Sequence, residues 1–146
     1  MKKLTTFTLA SMLAGCTLMG DSDYAVSQTA ERWAEAFFSC NYHEAEQLST
    51  PESGRWLRFA ASNTTQQDLD ILAQHTVEAE ADTPSAVNDT LRTLSLTVRN
   101  YLMPAAIGDS VKQLSQGIFH VTMVKRDGRW LVRMEGLPRS EMQSHD

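Results

Sequence analysis

Two histidine–carboxylate pairs are the first places in this 146-residue chain where chemistry could sit. His120 and Glu135 fall opposite each other if Asp127-Gly128 makes a two-residue hairpin turn, and a carboxylate beside an imidazole can tune a general base. On a polar sheet face the same pair reads as a solvated cross-strand ion pair contributing about 0–1 kcal/mol. His43 and Glu46 share a helical face at i, i+3, but a metal centre needs more ligands and none follows at a suitable spacing. His75 falls at a helix end and His145 in the C-terminal tail. The chain holds no G-x-S-x-G, no P-loop and no G-x-G-x-x-G, so the spacing patterns of hydrolases and nucleotide binders are missing. No cofactor and no metal site is implied.

What these residues can do depends on the faces they occupy. With Asp127 and Gly128 as central turn residues, Arg126 pairs with Arg129, Lys125 with Trp130, Val124 with Leu131 and Thr122 with Arg133. Cross-strand partners point the same way. Phe119, Val121, Met123, Val132 and Met134 therefore share an inward face with Trp130, while His120, Thr122, Arg133 and Glu135 form an outer face. Leu94, Leu96 and Val98, alternating with Ser95, Thr97 and Arg99, join the inner set. That set contains no acid, histidine or lysine, which disfavours acid–base catalysis on the sheet itself. A catalytic group would have to come from a helix or loop. The outer face suits a partner surface.

The elements that hold these faces are legible from period and punctuation. Val26, Ala30, Trp33 and Phe37 recur on one side of an amphipathic helix. Asn41 can cap a short second helix. Thr50-Pro51-Glu52 is a helix start with a capping hydroxyl, a proline at the first position and an acid at the positive end; that helix presents Trp56 and Phe59. Thr65 can cap a fourth helix carrying Leu69 and Leu72. Trp33, Phe37, Trp56 and Phe59 either line a ligand pocket or fill the core. From Val77 the period becomes two, predicting one strand before Pro84 and another from about Thr93 to the approach of Pro104. Pro104–Ser115 reads as a loop or short helical turn. Gly117–Lys125 and Arg129–Gly136 form the closing hairpin.

Composition narrows the class. Hydrophobic residues make up 42%, charged residues 21% and aromatics 8%, enough for one globular domain. The 18 acidic against 13 basic residues, net −5, argue against a nucleic-acid partner. Two cysteines make no disulfide framework.

The N-terminus carries an address. Lys2 and Lys3 precede an apolar stretch too short to span a bilayer, the layout of a signal peptide over residues 1–15. Leu13-Ala14-Gly15-Cys16 resembles the bacterial lipobox, which implies cleavage before Cys16 and acylation of its thiol with fatty chains such as palmitate. The expectation is a lipid-anchored cell-envelope protein, its membrane and leaflet left open, with a tether over 16–22, one domain over 23–138 and a frayed tail over 139–146. Cys40 is then unpaired and is expected to be buried. Asp89-Thr90-Leu91 and Asp109-Ser110-Val111 resemble an O-glycosylation motif of some bacterial envelopes, a permissive triplet.

Helices first and an antiparallel sheet second is an α+β order. The run A-E-R-W-A-E-A-F-F-S-C-N-Y-H-E-A-E-Q-L, followed by the terminal R-D-G-R-W-L-V hairpin, resembles the nuclear-transport-factor-2-like superfamily, and more narrowly its small bacterial lipoproteins. The resemblance covers about Tyr24 to Leu137. It implies a curved sheet wrapped on the first helix as a cone, often dimeric through the sheet. The superfamily holds enzymes and non-catalytic binders, so fold does not choose function. The reading is a non-catalytic module for a small apolar ligand or an envelope protein. The alternatives are a pocket enzyme of isomerase, dehydratase or hydrolase type, and a structural homodimer.

Overall fold

The computed structural model describes residues 21–103 and 113–142. The signal peptide, Cys16, the Asp109 triplet, His145 and nearly all of the Pro104–Ser115 segment lie outside the described residues. Five helical pieces precede five strands: α1 (Asp21–Phe38), α2 (Tyr42–Gln47), a 3₁₀ turn (Pro51–Ser53), α3 (Gly54–Ser62), α4 (Gln66–Leu72), β1 (Glu78–Ala81), β2 (Ser85–Asn88), β3 (Leu91–Leu102), β4 (Leu114–Arg126) and β5 (Arg129–Arg133). Helix α1 begins two residues inside the stretch expected to be tether.

The α1 stripe packs onto the sheet: Val26, Ala30, Trp33, Ala34 and Phe37 are all buried. Full burial of a large apolar side chain contributes about 1.5–3 kcal/mol, so this one face supplies much of the helix's stability. The helix stops in a Schellman motif, with Asn41 N–H donating to Ala36 O at 2.8 Å and Cys40 N–H to Phe37 O at 3.1 Å. Cys40 occupies the left-handed position of that motif at φ 64°, where glycine is usual. Asn41 caps α2, its side chain accepting from Glu44 N–H at 3.4 Å. Thr65 and Asp68 form a reciprocal capping box on α4.

The sheet is antiparallel in the order β1-β3-β4-β5, with β2 also paired to β3. β1 and β2 lie end to end along one edge of β3, joined across Pro84; β1 is the strand expected before that proline, and β2 after it was not expected. Val124↔Leu131, Lys125↔Trp130 and Arg126↔Arg129 are paired as the turn chemistry predicts. Asp127 at φ 51° and Gly128 at φ 75° supply the positive dihedrals of a type I′ turn.

In β3 the alternation Leu94, Leu96, Val98 would next send Asn100 inward. A bulge intervenes: the register slips between Arg99 and Tyr101, Asn100 adopts φ 60°, and its side-chain amide donates to Thr76 O at 3.1 Å. Tyr101 is thereby turned into the core at 3% exposure. Gly117, opposite Val98, leaves the room this ring needs, because a Cβ there would lie 3.0 Å from Tyr101 Oη.

The far side of β5 is sealed by the chain before the 3₁₀ turn. Val132 N–H donates to Leu48 O at 2.8 Å and Thr50 N–H to Val132 O at 2.9 Å. Trp33 Nε1–H donates to Ser49 Oγ at 3.0 Å, and Ser49 passes its own proton to Ala45 O at 2.6 Å. Ser53 is fully buried, hydrogen-bonded to Thr50 Oγ1 at 2.7 Å and accepting from Met134 N–H at 2.8 Å.

β5 is shorter than expected. The strand stops at Arg133 rather than Gly136, and the next amide, Met134 N–H, faces away from β4 like Val132 N–H and bonds Ser53 Oγ. The chain loops out and rejoins β4 at an antiparallel bridge between Phe119 and Ser140. Of the tail expected to fray over 139–146, residues 143–146 lie outside the described residues, and Ser140 is held in place at 4% exposure.

Candidate functional site

The deep part of the cone is solid. Trp33, Leu96, Val98, Phe119, Val121, Met123, Val132 and Met134 are all buried against one another. At the mouth, the C-terminus of α1, helices α2 to α4 and the ends of β3 and β4 enclose a cleft of about 480 Å³. Of the residues expected to line a pocket, Phe37 and Phe119 reach it. Trp56 is half-buried against the core beneath the Arg55 guanidinium, 4.8 Å from the ring centroid. Phe59 is a correction: it is 52% exposed. Leu57 carries the buried face of α3, and a residue two positions later points to the opposite side of a helix.

One wall of the cleft is aromatic. Phe38 lies 4.7 Å from Phe119 and 5.3 Å from Tyr101, ring centroid to centroid, and Phe37 stacks on Trp33 at 5.2 Å. Each of these rings arrives by a different local rule. Phe37 and Phe38 sit at the end of α1, Tyr101 is turned in by the β3 bulge, and Phe119 follows the β4 alternation.

The other wall is polar and comes from helix ends. Tyr42 Oη lies 2.9 Å from Thr64 Oγ1 and 3.5 Å from Cys40 Sγ. Thr64 holds its place by donating to Ala60 O at 2.9 Å. Asp68 also lines the cleft at 4% exposure, and its Oδ2 accepts from Thr65 N–H at 2.9 Å. Burial pushes the Tyr42 phenol well above its ordinary range, with Cys40 and the Asp68 charge adding to the rise. The hydroxyl therefore stays protonated across physiological pH and acts as a neutral hydrogen-bonding group, not as a base. Cys40 is half-buried and packs against the core as a free thiol.

Reasoning from strand faces missed this polar wall, since none of its members lies on a strand. The available signals were local: Cys40-Asn41 at the end of a strong helical stripe, and Thr65 three residues before Asp68. Arg92 was missed too. It lies on the inner face opposite Met123, with its guanidinium 5.1 Å from the Trp130 ring and 3.7 Å from the Asp23 carboxylate.

The outer face differs from expectation at its centre. His120 does not pair with Glu135, which lies beyond β5 and contacts Arg133 at 3.2 Å. Instead His120 Nδ1 meets Ser95 Oγ at 3.0 Å and Nε2 meets Glu141 Oε1 at 2.8 Å. Thr122 and Arg133 are paired across the ladder as expected. The serine–histidine–glutamate row has the order of a proton relay, but the His120 side chain is 66% exposed. In water such a row aligns the returning tail on the sheet. His43 bonds Gln47 at 3.3 Å rather than joining a metal set, and no cluster of three metal-ligating side chains exists among the described residues.

No family model and no curated protein matches the sequence. Solved structures do. An NTF2-like protein of unknown function from Shewanella oneidensis MR-1 aligns with a TM-score of 0.50 and 13% identity, over 72% of this chain and 88% of that one. An NTF2-like protein involved in plasmid conjugation aligns at 0.41 and 15%, covering 78% and 46%. A putative calcium/calmodulin-dependent protein kinase II association domain from Xanthomonas campestris aligns at 0.40 and 15%, covering 68% and 74%. At such identities the likeness speaks to fold alone, and the first of these structures carries it.

Proposed function

We propose that this chain, which has the nuclear-transport-factor-2-like fold, is a lipid-anchored cell-envelope module that binds a small, largely apolar ligand in the cleft at the mouth of its cone. The observation that carries the reading is the cleft itself. A core that fills every deep position with its own side chains leaves about 480 Å³ open between an aromatic wall and a polar one, within the size range of small-molecule sites. Local strain supports it. A cysteine held at φ 64° costs on the order of 1 kcal/mol relative to glycine, and it places a side chain on the cleft wall that glycine would lack. A purely structural dimer has no use for either feature.

The anchoring half of the reading rests on Leu13-Ala14-Gly15-Cys16. A clickable palmitate analogue fed to the producing bacterium should label the wild type and not Cys16→Ala; label on the variant overturns the anchor. The binding half is tested by native mass spectrometry on the chain from Asp21 onward, which keeps every buried residue described, from Val26 to Ser140. We expect a retained small mass that Ala60→Phe, whose new ring would occupy the cleft, strips away. A bare wild type, or an adduct that survives in Ala60→Phe, overturns the cleft as a binding site.

A further inference from the structure

We infer that the cleft selects its ligand by hydrogen-bond direction, and that the ligand is an uncharged apolar body ending in a donor, a hydroxyl or an amide N–H. The inference rests on the binding reading above and adds the chemistry of the ligand's polar end. The protons of Thr64 and Tyr42 have fixed destinations. Thr64 has one hydroxyl proton, and the backbone carbonyl of Ala60, 2.9 Å away, can only accept it. The 2.9 Å contact between Thr64 Oγ1 and Tyr42 Oη is therefore made with the phenol proton, donated by Tyr42. Neither hydroxyl has a second proton to offer.

Tyr42 then lines the cleft with an oxygen that has given its proton away and can still accept. Its other polar neighbour among the described residues is the Cys40 thiol at 3.5 Å, a weak donor that a hydroxyl or amide displaces. Asn63, beside Thr64, is in the same state. Its side-chain amide donates to Phe59 O at 2.8 Å and to Ser62 Oγ at 3.4 Å, which leaves its carbonyl oxygen as an acceptor. The remaining hydroxyl of the lining, Tyr101 Oη, lies against β4, 3.0 Å from where a Cβ on Gly117 would stand. A ketone, ether or ester end would bring lone pairs against lone pairs and lose its water without a replacement. A hydroxyl or amide instead completes a directional row from the ligand through Tyr42 and Thr64 to Ala60 O, each bond polarising the next. A pocket that pairs a donor in this way rejects an analogue that lacks it.

The test is a matched pair that differs by two hydrogens: 1-(2-naphthyl)propan-2-ol and 1-(2-naphthyl)propan-2-one, titrated calorimetrically at pH 7 into the chain from Asp21 onward. Both are uncharged, so charge plays no part in the comparison. We expect the alcohol to bind about tenfold tighter than the ketone. Thr64→Val keeps the side chain's shape and removes the acceptor that holds the phenol proton, so that Tyr42 can donate into the cleft. In that variant the ketone should gain about tenfold and the preference should vanish. Tyr42→Phe should erase the preference by weakening the alcohol instead. Equal binding to the wild type, or a tighter ketone, overturns the donor selection and leaves the cleft as an unselective apolar site. A preference that survives in folded Thr64→Val or Tyr42→Phe overturns its assignment to these two hydroxyls. No heat from either compound overturns the binding reading itself. The ranking on the wild type stands as a test even if a variant is poorly folded.

Discussion

Ser53 and Glu52 are neighbours in one 3₁₀ turn and predict opposite outcomes. Ser53→Ala removes a hydroxyl that accepts from Met134 N–H at 2.8 Å and bonds Thr50 Oγ1 at 2.7 Å, all at a fully buried position. The Met134 amide has no ladder partner to fall back on, because like Val132 N–H it faces away from β4. The variant leaves a buried donor unpaired, at about 1–3 kcal/mol, and deprives Thr50 of its partner, near 1 kcal/mol more. We expect a loss of about 2–3 kcal/mol in urea unfolding with an unchanged slope, equivalent to a fall in Tm of roughly 8–12 °C for a domain of this size. A double-mutant cycle with Thr50→Val should return a coupling near 1 kcal/mol. A loss under about 0.5 kcal/mol for Ser53→Ala, or additive single effects, would refute the claim that this buried pair of hydroxyls fastens the end of β5 to the helical layer.

Glu52 is exposed and doubly hydrogen-bonded to Arg126, which holds its carboxyl down at about 2. A depressed folded-state value means the pair stabilises above the ordinary carboxylate range, near 4.5, and that its contribution is lost as pH falls toward 2. Thermal melts of the wild type and Glu52→Gln should therefore differ at pH 6 and converge by pH 2; a gap that widens on acidification contradicts the assignment. Gly117→Ala should destabilise by about 1–3 kcal/mol, since its Cβ would stand 3.0 Å from Tyr101 Oη and 3.1 Å from Ser140 Cβ, and Tyr101→Phe should relieve part of that cost in the double variant; urea melts decide it. Glu135→Ala should change stability by less than about 0.5 kcal/mol, because its side chain is 77% exposed. A larger effect would restore the cross-strand pairing that the bonds of His120 exclude.

Where pattern was strong, the chain's architecture could be read without coordinates. The α1 stripe, the caps at Asn41 and Thr65, and the β4–β5 register all follow from rules spanning a few residues. The misses share a physical cause, which is dependence on partners distant in sequence. β2 is exposed throughout and has no alternation to announce it. Tyr101 faces inward only because Asn100 bulges, and asparagine's tolerance of positive φ was the single local hint. The outer edge of β5 is held by Leu48, Thr50 and Ser53, far back in the chain. The cleft's acid and phenol come from helix ends that no face argument on the sheet could reach, so the site's polar wall stayed hidden, and Arg92 stands on the inner face where only apolar residues were expected.

The sealed flank of β5 bears on how this protein survives crowding. A sheet with open borders is a template for another chain's backbone. Here the segment around Ser49 occupies one border, and on the other Glu31 of α1 accepts the Ala81 amide at 2.9 Å, covering β1. Among the described residues that leaves Ser85–Asn88, a four-residue stretch entered through a buried proline and rich in serine and asparagine. Strand-to-strand aggregation needs a longer and more apolar border than that, so the native fold offers very little surface on which an amyloid-like stack could begin.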